Sequence, residues 1–360
     1  MYKGTGISKD QLSDDGEPCI LYGELYTKYK SETIREVISK TNIDNTKLVR
    51  SKANDVIIPC SGETAEDIAT ARCVLNGNIL LGGDLNIIRL HGYDGAFMSY
   101  QLNGRRKYDI AKVAQGVSVV HLYGEHLKGV KTINPCLEEQ KKIAKLLSLL
   151  DERIATQNKI IEDLKKLKSA IIEIEYTPNT KTTSHIGNVI EQISKRNKNN
   201  AIQNVLSVSN RQGFIKQSDQ FENRNVASED TSNYKIVEKN DFAFNPARIN
   251  VGSIARLTTF ENGIVSPMYI CFRTQENVAP EYIDFFFESK HFYCEIQKRL
   301  EGSVRQCLSF EGLCNIPFSL PSLEMQQRIG KRLFTLGQKI KTETDLLELL
   351  NKQRGCVISL

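Results

Sequence analysis

The sequence predicts an α+β protein in which two globular domains alternate with two long helices that pair as an antiparallel coiled coil. Three observations predict this architecture: a length of 360 residues, an internal repeat at an offset of 186 residues, and a heptad stripe in each repeat. A single hydrophobic core rarely grows beyond about 250 residues, so the length alone favours more than one domain. The predicted order along the chain is globe, helix, globe, helix.

Composition restricts the class of protein. The chain has 40% hydrophobic and 25% charged residues, close to globular averages, which excludes a collagenous or disordered protein. No apolar run approaches the roughly 18 residues of a membrane span, and the N-terminus has no apolar signal segment. We therefore expect a cytoplasmic protein without a membrane partner. The net charge of +5 permits an acidic partner such as nucleic acid without identifying one.

The repeat is clearest at the start of each predicted helix. The segment PCLEEQKKI at 135–143 aligns with PSLEMQQRI at 321–329. The same register continues without a gap, so that Leu147 falls on Leu333 and Leu150 on Leu336. Chance does not hold one register over such a length, so the two halves of the chain are predicted to fold alike.

Each repeated segment predicts a long helix. Apolar residues recur at alternating steps of four and three along both segments, which is typical of a helix packed along another helix. The polar exceptions are Gln157 and Lys168 in the first stripe and Glu343 and Arg354 in the second. Because these exceptions are equivalent in the repeat, we expect the helices to pair with each other. In the alternative interpretation, each helix is amphipathic and covers a globular core.

The boundaries follow from these patterns. We predict a first globular domain at 1–134, a first spacer helix at 135–176, a polar linker at 177–184, a second globular domain at 185–320 and a second spacer helix at 321–360. Both domains are rich in short β-like runs broken by Gly, Asn and Asp. In the register of the repeat Met1 corresponds to Gly187, so we expect the first domain to be clipped at its N-terminus.

Motifs for catalysis are missing from the sequence. It contains no phosphate-binding loop, no zinc-protease motif and no nucleophile elbow. Asn245-Pro246-Ala247 is similar to the loop with which amino-methyltransferases hold a flipped base, but it lacks the second proline and the aromatic ring. We expect Asn245 and Gly252 to hold a turn. The nine cysteines form no C-x-x-C pair, which predicts reduced and mostly buried thiols rather than a zinc site.

Basic residues favour a double-stranded DNA partner. The first helix is balanced, with eight basic and eight acidic residues in 138–176, so the basic clusters lie in the globes. Asn and Gln residues stand among these clusters. Arg and Lys contact phosphates and guanine edges, whereas Asn and Gln can read adenine. Two unlike globes separated by a helical spacer suit two separated DNA sequences on one duplex.

Five segments of the chain carry a family resemblance: 16–29, 83–89, 135–144, 245–255 and 321–330. Together they resemble the specificity subunits of type I restriction-modification systems, over essentially the whole chain. The resemblance implies that each globe is a target recognition domain that reads one half of a bipartite, asymmetric DNA site. It also implies that the antiparallel coiled coil spaces the two domains.

The resemblance implies partners for the chain but no catalysis by it. The coiled coil would dock two copies of a methyltransferase subunit, which use S-adenosylmethionine to methylate adenine. A further restriction and translocase subunit would use ATP and Mg²⁺. The chain itself is then expected to bind no cofactor and no metal ion.

The resemblance also assigns residues to the DNA-facing surface by position. In the first domain these are Tyr22, Tyr26, Lys28, Arg105 and Arg106. In the second domain they are Asn210, Arg211, Arg248, Asn250, Arg305 and Gln306.

The residues alone leave a second class of function open. It is a non-catalytic coiled-coil scaffold that binds protein partners and has no DNA specificity. An enzyme is least favoured, because the sequence has no cofactor or metal motif. Affinity for duplex DNA that falls with rising salt would separate a DNA reader from a scaffold, since phosphate contacts release counterions.

Overall fold

The computed structural model describes residues 1–44, 47–116, 119–177, 184–210, 212–220, 230–302 and 306–359. They form two compact units. The first contains Met1–Lys159 with Thr344–Leu360, and the second contains Ile160–Glu343. Each unit holds one β-rich domain and a part of both long helices.

The domain of the first unit is built from short strands and helices. Its strands are β1 (Tyr2–Lys3), β2 (Leu12–Ser13), β3 (Glu17–Ile20), β4 (Thr33–Ile34), β5 (Ser39–Thr41), β6 (Val49–Arg50), β7 (Asp55–Pro59), β8 (Ser61–Gly62), β9 (Arg72–Val74), β10 (Leu80–Leu81), β11 (Leu85–Ile88) and β12 (Val120–His121). Its helices are α1 (Glu24–Thr27), α2 (Ala65–Ile68), α3 (Gly95–Asn103), α4 (Lys107–Lys112) and α5 (Gly124–Lys128). The first long helix, α6, spans Leu137–Tyr176.

The domain of the second unit follows α6. Its strands are β13 (Ile190–Ile193), β14 (Val205–Ser209), β15 (Gly213–Lys216), β16 (Lys235–Glu238), β17 (Phe242–Phe244), β18 (Ile254–Arg256), β19 (Asn262–Val265) and β20 (Ile270–Thr274). Its helices are α7 (Gln217–Gln220), α8 (Pro280–Phe286), α9 (Lys290–Gln297) and α10 (Phe310–Cys314). The second long helix, α11, spans Leu323–Ser359.

Local sequence explains the main elements. β7 contains three consecutive β-branched residues, Val56 to Ile58, and is buried along its whole length, as expected of a central strand. α3 begins where the Asp94 side chain accepts a hydrogen bond from the Phe97 amide, and α9 begins at a similar cap formed by Ser289. Each long helix begins two residues after a proline and has glutamate in its first turn, which complements the positive end of the helix dipole.

The strand order shows the internal repeat. In the first unit the sheets run β1-β11-β7-β9-β4 and β2-β5-β3-β10-β6, with a separate β12-β8 pair. In the second unit they run β13-β20-β17-β18 and β15-β14-β19-β16. β3 pairs with β10 in parallel, as β14 does with β19. Apart from the additional β2, β4 and β8-β12 of the first unit, the two domains have the same topology, as the repeat predicts.

The long helices pack together in both units. In the first unit Arg354, near the end of α11, bonds Asp151 in the first half of α6. In the second unit Ile171 and Ile172 near the end of α6 share a core with Ile329 and Leu333 near the start of α11. Opposite ends meet, so the helices are antiparallel. The prediction of an antiparallel helix pair is confirmed.

The same helices also cover the domain cores. Ile171 and Leu333 belong to one hydrophobic cluster with Phe242, Phe272 and Phe286 of the second domain. Burial of each large apolar side chain contributes about 1.5–3 kcal/mol. The two interpretations of the heptad stripe are therefore combined, since each helix packs both on the other helix and on a domain.

All nine cysteines are free thiols. Only Cys19, Cys73 and Cys271 are buried, so the prediction of mostly buried thiols was wrong. Cys136, just before α6, and Cys356, in α11, are exposed because both lie outside the apolar heptad stripes. None of the helices in the described ranges combines the length and apolar character needed to cross a bilayer.

A glutamine latches each long helix to its domain. Gln140 and Gln326 are equivalent in the repeat, and each is only 1% exposed. The Gln140 side chain accepts from the Asp94 amide at 2.9 Å and donates to the Pro135 carbonyl at 2.7 Å. Gln326 makes the same two bonds with the Ala279 amide and the Pro321 carbonyl, both at 2.9 Å. We refer to these two side chains as the glutamine latches.

The latch gives a stability prediction. Gln326→Ala leaves the Ala279 amide and the Pro321 carbonyl without their partner, at an expected cost of about 1–3 kcal/mol in the free energy of unfolding. Gln327→Ala is the matched control, because Gln327 is adjacent but exposed. Equilibrium urea unfolding of both variants measures the difference. Equal stability of the two variants would contradict the role of the latch.

Candidate nucleic-acid interface

The second unit contains a cleft that we name cleft 2. It has a volume of about 430 Å³ and lies between the end of β14, the loop 245–253 that joins β17 to β18, and the segment before β20. Its lining includes Asn210, Gln217, Tyr234, Arg248, Val251 and Met268. Polar, cationic, aromatic and apolar side chains therefore meet at one opening.

The loop 245–253 is held rigidly, as expected from its sequence. The buried Asn245 accepts a hydrogen bond from the Ala247 amide at 3.1 Å, and the Asn245 amide donates to the Ser253 carbonyl at 3.0 Å. Gly252 has a φ of +87°, which favours glycine. Asn245 and Gly252 therefore hold the turn that presents Arg248, whose side chain is exposed.

The structure brings several predicted residues to this loop. Asn210 and Arg248 both line cleft 2, whereas the half-buried Asn250 lies in the loop but outside the cleft lining. Gln306 is exposed and lies two residues before Leu308, whose amide donates to the Pro246 carbonyl at 3.0 Å. The predicted contacts Arg211 and Arg305 lie outside the described residues.

The first unit contains a second opening, cleft 1, with a volume of about 550 Å³. Tyr22 and Lys28 line it, together with Lys9, Glu24 and Asp84. Glu24 is buried, pairs with the Lys28 ammonium at 2.6 Å and accepts from the Leu21 amide at 3.0 Å. The Lys28 charge is therefore partly compensated.

Tyr26 lies beside cleft 1 on α1 and is half-buried. Burial raises the pKa of the Tyr26 hydroxyl, and the neighbouring Tyr22, Asp67 and Glu63 add to the shift. Near neutral pH the hydroxyl is thus protonated and can donate a hydrogen bond. Tyr22 and Lys28 thus line cleft 1, and Tyr26 lies next to its lining on α1.

Clefts 1 and 2 occupy the same place in the repeat. Residues 21–24 of cleft 1 correspond to residues 207–210 of cleft 2 at the offset of 186. Strand register relates a second part of the lining. Asn86 pairs with Ile58 and Ile270 pairs with Phe244, which equates Asp84 with Met268. Both residues line their clefts, although the local offset here is 184.

Arg105 and Arg106 lie elsewhere. They border a groove of about 370 Å³ in the first unit that is lined by Ile143 and Leu147 of α6 and by Val357 of α11. Arg106 pairs with Asp109 at 3.3 Å. Neither arginine lines cleft 1. The structure therefore does not bring these two residues together with Tyr22, Tyr26 and Lys28.

Sequence reasoning missed several cleft residues. Lys9 and Asp84 line cleft 1, and Gln217 and Met268 line cleft 2. None belongs to a charge cluster, so charge patterning could not find them. The repeat could have pointed to Asp84 and Met268 only with the strand register in hand, because the offset changes locally by two residues.

The described part of the chain offers no metal centre. Within it, no three His, Cys, Asp or Glu side chains converge closely enough to hold a metal ion. The two clefts are lined by side chains that can form hydrogen bonds and apolar contacts with a ligand.

Comparison with known proteins identifies the family. The model of the type I restriction-modification DNA specificity domain matches residues 3–166 and again residues 171–352. The two matches cover nearly the whole chain. The chain belongs to this family of specificity subunits.

Two curated specificity subunits are related to this chain in sequence. The chain is 24% identical over 371 residues to the type I restriction enzyme MjaVIII specificity subunit of Methanocaldococcus jannaschii, an alignment that covers 94% of this chain and 84% of the relative. It is 26% identical over 260 residues to the putative MjaX specificity subunit of the same organism, covering 65% of this chain and 59% of that protein.

A solved structure shares the fold. The crystal structure of the type I restriction-modification S subunit from M. genitalium superposes with a TM-score of 0.60 at 16% identity, over 99% of this chain and 92% of the other. The chain is thus a DNA specificity subunit, the non-catalytic part of a restriction enzyme complex, with two repeated domains. A scaffold without DNA specificity and an enzyme are both set aside.

Proposed function

We propose that this specificity subunit reads an asymmetric, bipartite site on double-stranded DNA, with cleft 1 on one half and cleft 2 on the other. The observation that carries the proposal is a cleft at equivalent positions of both repeats with unlike side chains in its lining. Two clefts with the same side chains would read the same DNA sequence in both half-sites. Because the side chains differ, the two half-sites differ in sequence.

Cleft 2 offers contacts to several base edges. Arg248 is exposed and has no ion pair among the described residues, so its guanidinium is available for guanine O6 and N7. Asn210 and Gln217 can pair with adenine N6 and N7. Val251 and Met268 are 53% and 57% exposed, and such apolar groups suit the methyl group of thymine.

Cleft 1 has a different chemistry. The exposed Lys9 and the partly compensated Lys28 supply positive charge for phosphates, and Tyr22 in the lining and Tyr26 beside it supply hydroxyl groups. Asp84 adds a carboxylate that cleft 2 does not share at the equivalent position, where Met268 stands. This contrast supports two different half-sites.

The proposal extends to the parts of the chain. It treats 1–134 and 185–320 as target recognition domains, 135–176 and 321–360 as spacer helices, and 177–184 as the linker. Arg211, Asn250, Arg305 and Gln306 are included as contacts in the second half-site. Arg105 and Arg106 are left out of the base-reading set, because they border the long helices rather than cleft 1.

The proposed protein partners of the chain follow from the equivalent starts of its two long helices. The two glutamine latches place equivalent helix starts in both units, which supports the docking of two copies of a methyltransferase subunit along the paired helices. A restriction and translocase subunit completes the complex. S-adenosylmethionine, ATP and Mg²⁺ are assigned to these partners, and no cofactor is assigned to this chain. We place the assembly in the cytoplasm, where its DNA substrate lies.

The decisive experiment maps adenine methylation. The chain is co-expressed with its cognate methyltransferase in a host without other adenine methylation, and the genome is sequenced by a methylation-sensitive method. We expect modified adenines in one split motif with two unlike halves. Methylation without a motif, or none in the presence of an assembled complex, would overturn the proposal.

Arg248→Ala tests the contact of cleft 2. If Arg248 contacts a base edge, the variant loses about 1–3 kcal/mol of discrimination at one position of one half-site. The other half-site keeps its sequence. Arg196→Ala is the control, because Arg196 is exposed, lies outside the lining of cleft 2 and donates a hydrogen bond to the Asn233 side chain. Relaxation of both halves would indicate misfolding instead.

The linker gives an independent test. Insertion of four residues between Tyr176 and Ser184 is expected to lengthen the unread gap while both half-sites keep their sequences, since both clefts stay intact. Methylation mapping of the insertion variant measures the gap. A changed half-site would contradict the assignment of spacing to the linker and helices.

A further inference from the structure

We propose that Asp84 forms a subsite in cleft 1 for the exocyclic amino group of a cytosine, so that this carboxylate fixes one base pair of the first half-site. The inference rests on the proposed function, because it takes cleft 1 as a DNA-reading surface.

The Asp84 carboxylate is held in place. The residue has a left-handed backbone with a φ of +56°, a conformation that Asp and Asn adopt more readily than most residues. Its carbonyl accepts from the Cys60 amide at 2.7 Å, and its Oδ2 accepts from the hydroxyl of the buried Ser61 at 3.2 Å. The backbone and one carboxylate oxygen are thus anchored.

The other oxygen is available to a ligand. Asp84 is exposed at the edge of cleft 1, and its Oδ1 has no hydrogen-bond donor among the described residues. No described lysine or arginine forms an ion pair with Asp84. The second acid of the cleft differs, because Glu24 is buried and bonds Lys28, Ser39 and the Leu21 amide. Of the two carboxylates in the lining of cleft 1, Asp84 is therefore the one that is presented outward.

The repeat indicates that this position varies with the ligand. Strand register equates Asp84 with Met268, which is 57% exposed at the edge of cleft 2. A residue needed only for the fold would be expected to keep its polarity in both repeats. Here one repeat has a carboxylate and the other a thioether, while the strands on either side keep their pairing.

Electrostatics selects the partner of the carboxylate. Phosphates repel an exposed carboxylate, so Asp84 weakens nonspecific affinity and gains a favourable contact only from a base amino group. In the major groove these groups are cytosine N4 and adenine N6. Adenine N7 is an acceptor next to N6 and opposes an acceptor-only carboxylate, which leaves cytosine as the better partner.

Asp84→Asn is the variant that tests the subsite. Asn tolerates the left-handed backbone and can keep the bond from Ser61, so the fold is retained. Its amide donates as well as accepts, and this pattern matches adenine rather than cytosine. We expect methylation mapping to show a cytosine in the first half-site for the natural chain. In the variant, preference for that cytosine should fall by about 5- to 150-fold, with adenine gaining.

Two controls accompany the variant. Asp14→Asn removes the same charge from an exposed aspartate outside the lining of cleft 1 and should leave the motif unchanged. The half-site read by cleft 2 serves as an internal control within every methylation map. Binding of duplex DNA without the motif should strengthen in Asp84→Asn, because a negative charge is lost.

The possible results distinguish failure of the Asp84 subsite from failure of the proposed function. A split motif whose first half is identical in the natural chain and in Asp84→Asn overturns the subsite and leaves the proposed function intact. A first half that changes at a position other than a cytosine also overturns it. Absence of any split motif for the natural chain in an assembled complex overturns the proposed function itself.

Discussion

The pairing of α6 with α11 is the interaction on which the rest of the structure depends. Each helix carries an apolar stripe too long for one domain to cover, and each unit contains the end of one helix packed on the start of the other. Two of the four polar exceptions in the stripes join a helix to a domain. Lys168 pairs with Glu288 at 2.6 Å, and the equivalent Arg354 pairs with Glu32 at 2.7 Å. The half-exposed Lys168–Glu288 pair contributes modestly, whereas the Arg354–Glu32 pair compensates a buried carboxylate. Apolar burial supplies most of the stability.

Each domain contains the same ion pair between a buried aspartate and an arginine. Asp55 pairs with Arg89 at 2.9 Å, and Asp241 pairs with Arg273 at 3.0 Å. Both aspartates also accept from the amide three residues earlier, at 2.8 Å. Burial raises the pKa of Asp241, although the amide and Arg273 act in the opposite direction, so the charged form depends on both partners. Loss of either arginine would leave a buried carboxylate uncompensated, a strong reason for both repeats to keep the pair.

The sequence predicts the two long helices and the repeated domain fold better than it predicts the candidate site. Long apolar periodicity and a repeated helix start indicate the two helices and the doubled fold, because burial imposes a period on many residues at once. A short loop carries no such period. Arg105 and Arg106 form a conspicuous charge run, yet they border a groove beside the helices, since charge alone does not determine which face of a domain a residue occupies. Asp84 and Met268 have no motif at all and become equivalent only through the pairing of β11 and β20.

The loops around each cleft are anchored separately from the exposed side chains at the cleft edges. This separation explains how one fold can carry two different recognition surfaces. The Leu122 amide bonds the Cys60 carbonyl, and the equivalent Leu308 amide bonds the Pro246 carbonyl, so backbone groups rather than side chains anchor the loops around each cleft. Backbone bonds do not depend on the identity of the exposed side chains. Substitutions at the cleft edges can therefore alter hydrogen-bonding pattern and charge at little cost in folding free energy, whereas substitutions at the latches and buried pairs cannot. The DNA sequence that is recognised can therefore change through substitutions at exposed cleft positions, because these side chains contribute little to the stability of the fold.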